Sequence, residues 1–149
     1  MKKVKISTLG RLLQQNEVAQ EQIWFTANAE KWYRVASTYD YVMSSVGLIS
    51  FVSRYNYTAP FSASLLLSTK YRSAGFIKVI EKTAGLYVTK ARIVYPINNN
   101  GVAYIEFYYA NPQINELLFV LSGQRNIKLL QTATEGEIPS GYSSYEITL

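Results

Sequence analysis

The chain contains no histidine and no cysteine. These absences remove the commonest general base, the thiol nucleophile, any disulfide and the usual ligands of transition metals. Aspartate occurs once, at Asp40, so a catalytic carboxylate pair would have to be drawn mainly from nine glutamates. Glu135 and Glu137 are close, but Thr134-Glu135-Gly136-Glu137 reads as an exposed loop with solvated charges. No Gly-rich phosphate loop, Gly-x-Ser-x-Gly elbow or calcium loop of spaced aspartates occurs. The expectation is a protein that is not an enzyme and carries no metal or organic cofactor.

Long apolar runs are missing too. No window approaches the roughly 20 residues needed to span a bilayer. Met1-Lys2-Lys3-Val4-Lys5 begins like an export signal, but Ser7, Thr8, Gly10 and Arg11 interrupt any apolar stretch behind it. A soluble chain without membrane insertion or a cleaved signal is expected.

What is present is tyrosine, thirteen in 149 residues, against a charged content of only 17%. A chain of this length forms one domain that buries roughly 70% of its unfolded surface, so no staple is required. Net charge is +5 and unevenly placed. Arg54, Lys70, Arg72, Lys78, Lys82, Lys90 and Arg92 face the single acid Glu81, whereas from Ile93 onward glutamates outnumber Arg125 and Lys128. Opposite-sign stretches suit self-association or a polar partner; solvated strand faces would give the same pattern.

Two textures divide the chain. Residues 1–30 are rich in Gln, Glu, Leu and Ala, with Leu9, Leu12, Leu13, Ala19 and Ile23 at roughly helical spacing behind the cap candidates Ser7 and Thr8. This predicts a helix over 8–22 within an N-terminal arm. Residues 31–149 carry short β-branched and aromatic runs between turn residues. Strands are expected over 32–37, 46–57, 61–67, 76–81, 91–95, 102–109, 117–121, 127–130 and 145–149. Phe61, Ala63, Leu65 and Leu67 alternate inward, and Asn98-Asn99-Asn100-Gly101 is the clearest hairpin turn. The fold class is all-β: a jelly-roll-like β-sandwich with a short N-terminal helical arm.

On 102–109, Ala103, Ile105, Phe107 and Tyr109 suit the core, yet the other face carries Tyr104, Glu106 and Tyr108. An outer face so aromatic suits cover by a second copy or a ligand, or else reflects tyrosine's ordinary fitness for strands. Rings and amides in loops are also candidates for stacking on sugar C–H groups and orienting hydroxyls: Tyr39, Tyr41, Tyr55, Tyr57, Asn98, Asn99, Asn100, Tyr142 and Tyr145. Arg34, Arg54, Lys70, Tyr71 and Arg72 could line a groove for single-stranded nucleic acid, but no RNA-binding signature accompanies them, so that partner is disfavoured.

Four segments in order are Lys31-Trp32-Tyr33-Arg34-Val35-Ala36, Arg72-Ser73-Ala74-Gly75-Phe76, Thr89-Lys90-Ala91-Arg92-Ile93-Val94 and Ala103-Tyr104-Ile105-Glu106-Phe107-Tyr108-Tyr109. The series resembles C-terminal β-sandwich domains of bacteriophage tail-fibre and head-fibre proteins. The resemblance covers roughly residues 30–149. It implies a structural or adhesive virion part, typically trimeric, with residues 1–30 docking on other virion proteins and host glycans as a possible contact. It further implies that Trp32 fills the core, that Arg34 pairs with Glu106 or Glu81, and that Arg72 anchors a loop. A long shaft is missing from the pattern, which points to a short attachment or capsid-decorating component. A free-standing carbohydrate-binding module is the alternative from another class.

Overall fold

The computed structural model of the protein describes residues 20–39, 43–54, 59–98 and 100–149. Ten strands form: β1 (Glu21–Ala27), β2 (Lys31–Thr38), β3 (Ser45–Ser53), β4 (Ser62–Lys70), β5 (Ser73–Lys82), β6 (Val88–Pro96), β7 (Tyr104–Tyr109), β8 (Asn115–Arg125), β9 (Ile127–Glu135) and β10 (Tyr142–Thr148). They make two antiparallel five-stranded sheets, β1-β8-β3-β4-β5 and β10-β6-β7-β2-β9, called sheet A and sheet B below. The described residues contain no helix.

Alternation along each strand builds one core shared by the two sheets. Ile49 and Phe51 on β3, Ala63, Leu65 and Leu67 on β4, and Leu117, Phe119 and Leu121 on β8 are buried from sheet A. Val35 on β2, Ile93 on β6, and Ile105, Phe107 and Tyr109 on β7 meet them from sheet B. Phe107 and Phe119 hold their ring centroids 4.9 Å apart across the seam, and Phe51 lies 5.7 Å from Phe107. Burying such side chains contributes roughly 1.5–3 kcal/mol each, which makes this seam the main source of stability.

Three features differ from the sequence reading. Residues 21–27 are a strand, not the end of a helix or part of an arm: Ile23, Phe25 and Ala27 alternate toward the core and the segment pairs with β8 along its length. A helix over 8–22 therefore fails at its last two positions, and its remainder lies outside the described residues apart from Gln20, which is not helical. Trp32 does not fill the core. It points to the opposite side of β2 from Tyr33 and Val35, which are buried. The strand expected over 46–57 is shown as far as Ser53, with 55–57 outside the described residues, and β7 begins at Tyr104 rather than Val102.

Candidate functional site

The central strand of sheet B is β7, and Glu106 lies in its middle, facing away from the core. Register sets Arg34 of β2 directly beside it on one flank and Arg92 of β6 on the other. Each carboxylate oxygen serves one guanidinium. Oε1 accepts from Arg34 Nε at 2.9 Å and Nη2 at 2.8 Å, and Oε2 accepts from Arg92 Nε at 2.7 Å and Nη2 at 2.6 Å. Glu106 is wholly buried, and the side chains of Arg34 and Arg92 are only 14% and 8% exposed. A buried charge is tolerable only with such pairing and hydrogen bonding.

Aromatic rings wall the triad on either side. The Arg34 guanidinium carbon stands 3.7 Å from the Tyr104 ring centroid, and that of Arg92 stands 4.0 Å from Trp32. Tyr142 stacks beyond Tyr104 at 6.0 Å, and Tyr108 packs against Trp32 at 5.4 Å. Lys90 ends the row, 5.6 Å over Tyr108 and ion-paired with Glu146 at 3.2 Å. Guanidinium planes suit this use because they stack on rings while their edges donate to a carboxylate.

The roof of the triad comes from the chain itself. β9 and β10 are opposite edges of sheet B, so residues 136–141 must cross the sheet's outer face to join them. Gly136 N donates to Trp32 O at 2.9 Å, Arg34 Nη2 donates to Glu137 O at 2.7 Å, and Ile97 N donates to Gly141 O at 2.9 Å. A Cβ on Gly136 would come within 2.6 Å of the Glu106 carboxylate carbon, so only glycine fits there without a shift. With both oxygens occupied and a backbone strap above, Glu106 has no surface left for a second copy or a substrate. It is an anchor, and the outer-face positions left for contact are the half-buried Tyr104 and Tyr108.

Of the ring and amide candidates, Tyr39, Asn98, Asn100 and Tyr142 lie toward the same end of sheet B, where β6 runs into β7. Tyr142 pairs with Pro96 at one edge, while Tyr39 follows β2, about three strand spacings or roughly 14 Å away. Tyr39 is 62% exposed with Lys128 Nζ 4.8 Å over its ring. Burial raises the Tyr142 hydroxyl above its ordinary pKa, with Tyr104 adding to the rise and Arg34 opposing it. Tyr145 sits on β10 opposite Ile93, away from this cluster. Tyr41, Tyr55, Tyr57 and Asn99 lie outside the described residues.

The basic candidates do not converge. Arg34 is consumed by Glu106, Arg54 pairs with Glu116 at 3.0 Å, and Arg72 lies over Tyr71 at the β4–β5 turn. Glu81, the other partner considered for Arg34, sits on β5 in the other sheet. Among the described residues no group of three metal-ligating side chains forms.

Sequence reasoning missed Arg92 as the triad's third member and Trp32 as part of its wall. The signal was there: Trp32 shares a strand face with Arg34, while the intervening Tyr33 and the following Val35 are the apolar pair. Comparison with protein-family models, with curated proteins and with solved structures gives no match.

Proposed function

We propose that this chain is a non-enzymatic bacteriophage virion component, a fibre, capsid-decoration or tail part, that self-associates and works by contact. In this reading the two sheets stack as a jelly-roll-like sandwich. The connections β1–β2, β2–β3, β5–β6, β7–β8 and β8–β9, each passing between sheets, support that stacking. The segment before β1 mounts the module on other virion proteins.

The observation that carries the reading is the use to which the buried charges are put. Arg34, Glu106 and Arg92 saturate one another beneath a strap of the same chain, leaving no carboxylate lone pair for acid–base work. The chain's investment is in a rigid outer surface. A particle fraction banded on a density gradient and probed with gold-labelled antibody tests this. Gold at regular positions on particles is expected; the chain confined to the particle-free fraction would overturn it.

One observation favours a second reading, a carbohydrate-binding module. Tyr142 and Tyr104 stack near Asn98 and Asn100 at one end of sheet B, which is the mixture of flat apolar faces and amides that sugars need. A glycan array scores it directly: a hit lost in Tyr142→Ala supports it, and an array without hits removes it.

A further inference from the structure

The outer face of sheet A has the opposite character from that of sheet B. Trp24, Leu118 and Val52 lie side by side across β1, β8 and β3. In the next row Val120 sits between Gln22 and Ser50, and beyond it Leu48 lies beside Leu66. Trp24 is 55% exposed and Val52 38%. Across β1, β8, β3 and β4 these rows carry no charge. Their polar groups are small, and the facing hydroxyls of Ser50 and Ser64 bond to each other at 2.9 Å, so covering them strands little. Soluble single chains seldom leave a patch of this extent open.

We propose that a second copy of this chain covers that face, the two sheets A stacking about a two-fold axis parallel to the strands. This rests on the self-association in the proposed function and gives it a surface, with pairs in place of the three-fold order that the resemblance implies. Three features select a second copy. Across four strands the rows are uncharged, and Lys78 and Glu81 of β5 come over β1, where Gln22, Trp24 and Thr26 carry no charge. Two copies therefore meet without bringing like charges together despite the net charge of +5. Across β1, β8, β3 and β4 a charged partner such as nucleic acid or an anionic lipid surface would find nothing in these rows to pair with.

Size fits as well. Five strands about 4.8 Å apart, each about 25 Å long, give a plane of roughly 500 Å², which with side-chain relief approaches the roughly 800 Å² per partner of a stable interface. The rows also suit each other. The proposed axis lays β1 of one copy over β5 of the other and turns each row end for end onto its counterpart, so Leu118 lies over Ser62, Val120 over Ser64, and Trp24 over the end of β5 near Lys82. β3 is the middle strand, so Val52 of each copy faces Val52 of the other.

That last relation makes the test specific. Sedimentation velocity of the full chain at micromolar concentration should give the mass of a pair. Val52→Glu sets two carboxylates against each other and should weaken pairing at least tenfold, with the circular-dichroism spectrum and cooperative melt unchanged. Val52→Lys should do the same, and an equimolar mixture of the two variants should pair again. Should either variant lose its cooperative melt, Ser64→Lys on the same face supplies the reading. A larger oligomer untouched by these variants would overturn this surface and leave self-association standing. A monomeric wild-type chain would overturn both, and acrylamide quenching of Trp24 then tells how: shielding points to cover by the chain's own preceding residues, ready quenching to an open face.

Discussion

Gly136 lies directly over the carboxylate of Glu106, with room for a hydrogen and none for a methyl group. A glutamate tip can usually swing away from an added methyl, but this one is pinned by Arg34 and Arg92 through both oxygens. Gly136→Ala should therefore cost about 1–3 kcal/mol, as overpacking does. In a Glu106→Ala background the methyl has space and its cost should nearly vanish, a coupling that a double-mutant cycle in urea reads out. Glu106→Gln should be costlier, about 3–5 kcal/mol, because it leaves two poorly hydrated guanidiniums without their counter-charge.

Gly75 and Gly85 both have positive φ, 74° and 68°, yet they should respond differently to alanine. At Gly75 a Cβ would run into the backbone carbonyl of Ser68, in the irregular stretch that pairs β4 with β5. At Gly85 it meets nothing within 4 Å. Gly85→Ala should cost about 1–2 kcal/mol, the left-handed penalty alone. Gly75→Ala adds a clash with main chain and should lower the melting temperature clearly more in calorimetry.

Where the folded unit begins can be cut at two points. Removing residues 1–19 should keep the cooperative melt, because the described strands of the two sheets start at Glu21. Removing residues 1–28 deletes β1, strips Ile23, Phe25 and Ala27 from the core and bares an edge of β8. That version should unfold or aggregate, since an apolar edge strand templates association. Thermal melts of the two truncations, side by side, decide it.

Alkaline pH should weaken the fold. Burial raises the pKa of Tyr109 above its ordinary 10.0, and its hydroxyl donates to Gln113 O at 2.7 Å. The folded chain holds this proton more tightly than the unfolded one. The contribution is complete below about pH 10 and is lost as pH rises through the higher folded value, because the unfolded chain ionises first. Tyr109→Phe should cost about 1 kcal/mol at neutral pH through the missing hydrogen bond. Its urea midpoint should then fall less than that of the wild type between about pH 9 and about pH 11.

Strand positions and the core were legible because period-two alternation survives in 61–67 and 103–109, where every inward residue is buried. The Asn98–Gly101 turn likewise marked the β6–β7 hairpin. β1 was obscured by the Leu and Gln of the preceding residues, which extended a helical spacing through Ile23. The pairing of Arg34 with Glu106 followed from resemblance, but its third member and its roof did not. Both depend on register across β6 and on a connection that spans the whole sheet, and neither is a property of any short window. The open face of sheet A was hidden in plain runs such as Leu117-Leu118-Phe119-Val120-Leu121, which signal burial on both sides without saying what lies on the second.

Sheet B is closed by its own strap, and in the proposed pair sheet A is closed by contact with a second copy. The two tryptophans report one sheet each, Trp24 on A and Trp32 on B beneath Arg92. Hydroxyl-radical footprinting read by mass spectrometry, on the dilute chain and on its assembled form, follows both at once. Trp24 should be heavily oxidised when dilute and protected on assembly, while Trp32 stays protected throughout. Trp24 oxidised equally in both states, with protection appearing instead at Trp32 and Tyr108, would contradict the account.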